Sequence, residues 1–172
     1  MSLIAVTVIG HDRPGIIAEA TSALAELGIN LEDSTMTRLR GHFAMMLLCE
    51  GDTTVSQVER ALGDLAADGT LQVSAREVDR DEPGTSSGRP YVLTVHGGDR
   101  LGIVSAVTSV LARAGGNITD LTTRLTNDLY MVVAEVDLPV DADESVLAAE
   151  LTAIGRQLGI DVALRAQETD VL

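Results

Sequence analysis

The chain repeats itself. Sliding the 172-residue sequence by 87 positions aligns residues 8–50 with 95–137 without a gap, and 14 of the 43 aligned positions are identical, where ordinary residue usage gives about 3. The fold must therefore be one that can be built twice, each half burying a core of its own. The identical pairs include Gly10/Gly97, Asp12/Asp99, Arg13/Arg100, Gly15/Gly102, Ile16/Ile103, Gly28/Gly115, Asn30/Asn117, Asp33/Asp120 and Thr35/Thr122. They fall at turns as well as in apolar runs.

Hydrophobic spacing gives the elements of each copy. A β-rich run (3–9, 91–96) leads through a polar glycine turn into a stretch whose apolar residues recur at helical spacing. Ile16, Ile17, Ala20, Leu24 and Leu27 line one face in the first copy; Ile103, Val104, Val107, Leu111 and Ala114 do so in the second. Gly28 and Gly115 are placed to stop these helices. Thr-rich strands (31–38, 118–125), hairpins at Arg40-Gly41 and Asn127-Asp128, and apolar third strands (43–49, 130–136) follow. The spacing of Thr54 to Gln57 predicts a capping box opening a second helix that buries Val55, Val58, Leu62 and Leu65; its counterpart buries Leu147, Leu151, Ile154 and Leu158. Final strands are expected at 71–78 and 160–166. The order β-α-β-β-α-β, twice, predicts an α+β protein of two tandem ferredoxin-like domains, each an antiparallel four-stranded sheet with two helices on one face. Domains are expected at 1–79 and 90–172, with the Pro-, Gly- and Ser-containing segment 80–89 as linker.

Composition narrows the function. One Phe, two Tyr and no Trp leave the cores to aliphatic residues. A net charge of −14 repels phosphate backbones and anionic headgroups, so direct nucleic-acid or membrane binding is not expected. All 12 basic residues are Arg, which removes Schiff-base and phosphate-loop lysines. The run from Met1 into Leu3-Ile4-Ala5-Val6 has no basic leader, and no apolar stretch approaches the roughly 18 residues of a membrane helix; a cytoplasmic location is the expectation. Cys49 is expected to be a buried strand thiol. His11, His42 and His96 stand at unrelated points of the repeat and suggest no metal site. Nothing in the residues calls for a cofactor.

The glycine turn is the candidate binding element. Amides at the helix start, such as those of Gly15 and Ile16, lack intrahelical partners and can hold a carboxylate; alternatively Asp12 and Asp99 cap the helices, with Pro14 in the first helical turn. Asn30 and Asn117 each follow the helix-stopping glycine by two residues and offer both donor and acceptor, which suits the ammonium and carboxylate of a free α-amino acid, with Asp33 or Asp120 as a charge partner.

The spans Gly-His-Asp-Arg-Pro-Gly-Ile-Ile and Gly-Gly-Asp-Arg-Leu-Gly-Ile-Val, each followed at fixed distance by Gly-Ile-Asn-Leu or Gly-Gly-Asn-Ile, resemble ACT domains, small regulatory modules that bind amino acids. A pair of them resembles the glycine cleavage system transcriptional repressor group. The resemblance implies a ligand held between the first loop or helix and the second strand, often where two ACT domains meet. The implied residues are His11, Asp12, Arg13, Pro14, Gly15, Ile16 and Asn30 in the first copy, and Gly98, Asp99, Arg100, Leu101, Gly102, Ile103 and Asn117 in the second. Leu101 replaces the usual Pro, and Gly98 and Gly116 stand opposite His11 and Ile29, so two equal sites are not expected.

The function expected is thus a non-enzymatic amino-acid sensor, acting through packing of its modules or of a homodimer or other protein partner. One alternative is an adaptor without ligand, working through the edge strands 31–38 and 118–125. Another is acylphosphatase-like catalysis, since that class also has a ferredoxin-like fold, an Arg in the first loop and an Asn on the second strand, although Asp12 beside Arg13 opposes a phosphate there.

Overall fold

The computed structural model describes residues 1–80 and 88–167. The chain divides into two compact units, Met1–Glu82 and Pro83–Leu172. The first contains β1 (Ser2–His11), α1 (Ile16–Glu26), β2 (Asn30–Leu39), β3 (His42–Gly51), α2 (Val55–Ala61), a 3-10 turn (Gly63–Ala66) and β4 (Leu71–Val78). The second contains β5 (Gly88–Gly98), α3 (Ile103–Arg113), β6 (Asn117–Thr126), β7 (Leu129–Pro139), α4 (Glu144–Leu158) and β8 (Ile160–Ala166). The sheets are ordered β2-β3-β1-β4 and β6-β7-β5-β8, every neighbouring pair antiparallel. This is the ferredoxin-like arrangement, twice. Of the expected linker, Gly88 and Arg89 belong to β5; Arg89 pairs with Glu144 and donates to the Ala142 carbonyl, tying the strand to the start of α4. Residues 81–87 lie outside the described residues.

Alternation along the central strands puts Ile4, Val6 and Val8 of β1 and Phe43, Met45, Leu47 and Cys49 of β3 on the helix side, where they meet Ile16, Ala20, Leu24, Val58, Leu62 and Leu65. The second core repeats this with Leu93, Val95, Val132, Ala134 and Val136 against Ile103, Val107, Leu111, Leu147 and Leu151. Each of the Val, Leu, Ile, Phe and Met side chains among them contributes about 1.5–3 kcal/mol relative to exposure. Two expectations shift. Ile17, expected on the core face, is 44% exposed, because it lies about 100° around the helix from Ile16. Val110 joins the second core.

Both first helices close in the same way. The amides of Gly28 and Ile29 bond the Ala25 and Leu24 carbonyls, and those of Gly115 and Gly116 bond Ala112 and Leu111. This is the Schellman pattern, with the glycine left-handed at φ 71° and 74°. The hairpins turn on Arg40-Gly41 (φ 50° and 86°) and Asn127-Asp128 (φ 50° and 66°); left-handed backbone at both central residues matches the twist of the flanking strands. Both therefore serve as two-residue turns of the primed type.

Candidate functional site

The loop after the first strand is held from both sides. The His11 amide donates to Thr70 O (3.0 Å) and the Asp12 amide to Gly41 O (3.0 Å). Gly10 lies so close to β4 that a Cβ would meet Thr70 O at 2.1 Å. The helices that follow begin at Gly15 (φ 94°) and Gly102 (φ 88°), and neither start receives a side-chain cap. Glu19 N to Gly15 O and Ala106 N to Gly102 O are the first helical bonds. The amides of Ile16, Ile17 and Ala18, and of Ile103, Val104 and Ser105, consequently have no partner within their helices.

The other two helices behave differently. Thr54 accepts from Gln57 N in the expected capping box, and Asp143 accepts from the amides of Ser145 and Val146. The alternative role of Asp12 and Asp99 as caps is thereby overturned, as is Pro14 in the first turn. Pro14 precedes the N-cap, and the Asp12 carboxylate meets Arg38 at 3.3 Å.

The two loops differ in charge. In the first, Arg13 holds Glu19 through two hydrogen bonds of 2.7 and 2.8 Å. These bonds raise the Arg13 pKa and hold the Glu19 carboxyl below its usual range. The Glu19 carboxylate lies beside Gly15, 3.1 Å from where a Cβ would stand, so the first helix start already has an anion of its own. In the second copy Ala106 stands opposite Glu19. Arg100 makes no salt bridge among the described residues; its guanidinium lies by Gly159, 3.6 Å from a Cβ built there. Asp99, Arg100, Leu101, Gly102, Ile103, Val104, Ser105 and Tyr130 line an open concavity of about 440 Å³.

The asparagines stand elsewhere. Because β1 and β2 are both antiparallel to β3, they run parallel to each other, and α1 returns the chain to the end of the sheet where β1 begins. Asn30 pairs with Glu50 at that end, while Gly10 pairs with Phe43 at the other. An 11-residue α1 separates loop from Asn by about 16 Å. Asn117 likewise lines a separate concavity of about 370 Å³ with Gly88, Gly115, Asp137, Pro139 and Asp141. The expected clasp of loop and Asn on one ligand is therefore not assembled within a module. Arg13 and Asn30, the two residues that suggested acylphosphatase-like chemistry, likewise stand at opposite ends of the sheet. A bulge between Leu31 and Asp33, repeated between Ile118 and Asp120, does put Asn30 with Asp33, and Asn117 with Asp120, on one face of the sheet.

Two features escaped the sequence reading. Glu19 is the partner of Arg13; its only signal was the Glu19/Ala106 difference between copies. His11 and His42, read as unrelated, are directly opposed across β1 and β3 and stack with ring centroids 5.5 Å apart. Their pairing depends on strand register.

A duplicated βαββαβ module with an uncapped first helix defines a class, and the comparisons agree. Models of the ACT domain match residues 2–76 and 91–158; the chain belongs to the ACT domain family. A UPF0237 protein of Methanopyrus kandleri is 43% identical over 79 residues, 45% of this chain and 87% of that protein. One of Listeria monocytogenes is 38% identical over 77 residues, 44% of this chain and 85% of its own length. Among solved structures, an unknown protein of Galdieria sulphuraria superposes with TM-score 0.82 at 31% identity, over 97% of this chain and 99% of that one. A candidate glycine cleavage system transcriptional repressor shares the fold (TM-score 0.74, 19% identity, 98% of both chains). No described helix is long and apolar enough to cross a membrane.

Proposed function

We propose that this chain is a non-catalytic regulator that binds a free amino acid and transmits its occupancy through packing against a second copy or another protein, in control of amino-acid metabolism or transcription. The observation that carries the reading is the contrast between helix starts. α2 and α4 are closed by Thr54 and Asp143, whereas α1 and α3 present open amides behind a left-handed glycine. A ligand carboxylate gains there from charge-assisted hydrogen bonds and the helix dipole. The second loop is the favoured acceptor, because Arg100 remains to meet the anion while Arg13 is engaged by Glu19.

The asparagines join such a site only across an interface. β2 is an edge strand exposed along its whole length. Antiparallel pairing with β2 of a second copy would set Asn30 of one copy beside the loop of the other, where its amide could hold the ligand ammonium. Thermal unfolding against each of the twenty amino acids tests the reading: a ligand at 100 times its dissociation constant stabilises by about 2.7 kcal/mol. Retention of the shift in an Asn30→Ala/Asn117→Ala double variant would remove the asparagines from the site. No shift with any amino acid would favour the adaptor reading, which the exposed edge strand also supports.

A further inference from the structure

The proposed amino-acid site makes no use of the imidazoles of the first module's histidine pair, although His11 belongs to the loop that the resemblance implies. His11, the last residue of β1, and His42, the first of β3, are directly opposed in register, and both are exposed. Their rings stack at 5.5 Å between centroids with 28° between planes. Two imidazole nitrogens bound to one tetrahedral ion at about 2.0–2.1 Å set their ring centroids about 5 Å apart, so cross-strand opposition already brings the rings to a chelating separation; the stacked rings must turn about their side-chain torsions for one nitrogen of each to face a shared ion. The backbone beneath is fixed, because the His11 amide bonds Thr70 O and the neighbouring Asp12 amide bonds Gly41 O. The pair belongs to one module only, Gly98 and Leu129 being the counterparts in β5 and β7.

From this geometry we propose that His11 and His42 form a binding site for a divalent transition ion of the Ni²⁺, Cu²⁺ or Zn²⁺ class, for which imidazole is the preferred ligand, and not for Mg²⁺ or Ca²⁺. Among the described residues no third His, Cys, Asp or Glu gathers with them; water fills the remaining positions. The ion would cross-link the start of the 11–15 loop to the 40–41 hairpin and restrain the element that opens α1.

The test uses the untagged full chain. Millimolar Ni²⁺ or Zn²⁺ should raise the melting temperature where Mg²⁺ does not, and substoichiometric Ni²⁺ should broaden the ring-proton NMR signals of His11 and His42 selectively. His42→Leu, the residue found at the corresponding place in β7, should abolish both effects. His96→Ala is the control, since His96 is the chain's third histidine and stands 3.3 Å from Asp161, an imidazole–carboxylate pair away from the proposed site; it should leave binding intact. Absence of saturable binding in the wild-type chain overturns the proposal. So does equal binding by a His11→Ala/His42→Leu variant, or broadening centred on His96. The wild-type NMR result stands even if a variant fails to fold.

Discussion

Gly10 and Gly97 are the same residue of the repeat, yet replacing them with alanine should have unequal consequences. At Gly10 a Cβ would lie 2.1 Å from Thr70 O and 2.9 Å from Leu71 Cα, both backbone atoms of the adjoining strand, and φ is +154°. β4 would have to retreat by roughly 1 Å, a forced shift costing about 1–3 kcal/mol. The His11-to-Thr70 hydrogen bond would be lost or stretched for about 1 kcal/mol more, and a backbone conformation poorly suited to a side chain adds about 1–3 kcal/mol. The total of about 3–7 kcal/mol is a large part of the roughly 5–15 kcal/mol that stabilises a domain. At Gly97 the nearest atom is the Ile160 Cγ2 methyl at 2.7 Å, with Ile160 Cα at 3.1 Å. The overlap is smaller, falls first on a side-chain methyl, and comes without an unfavourable φ, so the cost is about 1–3 kcal/mol from the forced shift alone.

Cys49 supplies an assay specific to the first module. It is 1% exposed in that core, and burial raises the thiol pKa, so labelling proceeds through opening of the module. Its rate under native conditions should rise roughly a hundredfold or more in Gly10→Ala and stay unchanged in Gly97→Ala, with urea unfolding giving the matching loss of stability. A rise below tenfold in Gly10→Ala, or an equal loss of stability in Gly97→Ala, would refute the close-approach argument.

Three further outcomes follow from named contacts. The Glu19 carboxyl has its pKa lowered chiefly by the Arg13 hydrogen bonds, so the pair is intact above the ordinary carboxylate range and is lost as pH falls through the lowered value. In Arg13→Ala the Glu19 titration seen by NMR should return upward. Ala106→Glu, which gives the second module the residue found at Glu19, should engage Arg100 and diminish any amino-acid-induced melting shift; an undiminished shift would detach Arg100 from the ligand. Asp143→Ala removes the acceptor for two amides at the start of α4 and should cost about 0.5–2 kcal/mol in urea unfolding.

Local signals made much of this readable from residues alone. Periodicity, glycine stops and short hairpin turns are near-neighbour effects, and the repeat supplied each of them twice; hence β4 and β8 begin and end as expected, and Thr54 caps α2. The core face of α1 was legible except at Ile17, whose apolar character does not say on which side of Ile16 the sheet lies. Copy comparison also made the inequality of the loops visible, although not its agent, since an Arg13–Glu19 contact across a helix start follows no regular spacing.

What the sequence by itself determined is the repeat and the element order, because these depend on contacts close along the chain; that α1 and α3 start without a side-chain cap is a finding of the structure. Tertiary structure decided where those pieces stand relative to one another. Parallel β1 and β2 with α1 between them carry Asn30 to the far end of the module from the loop, and strand register alone brings His11 against His42. Both are consequences of long-range strand pairing, which residue spacing does not encode.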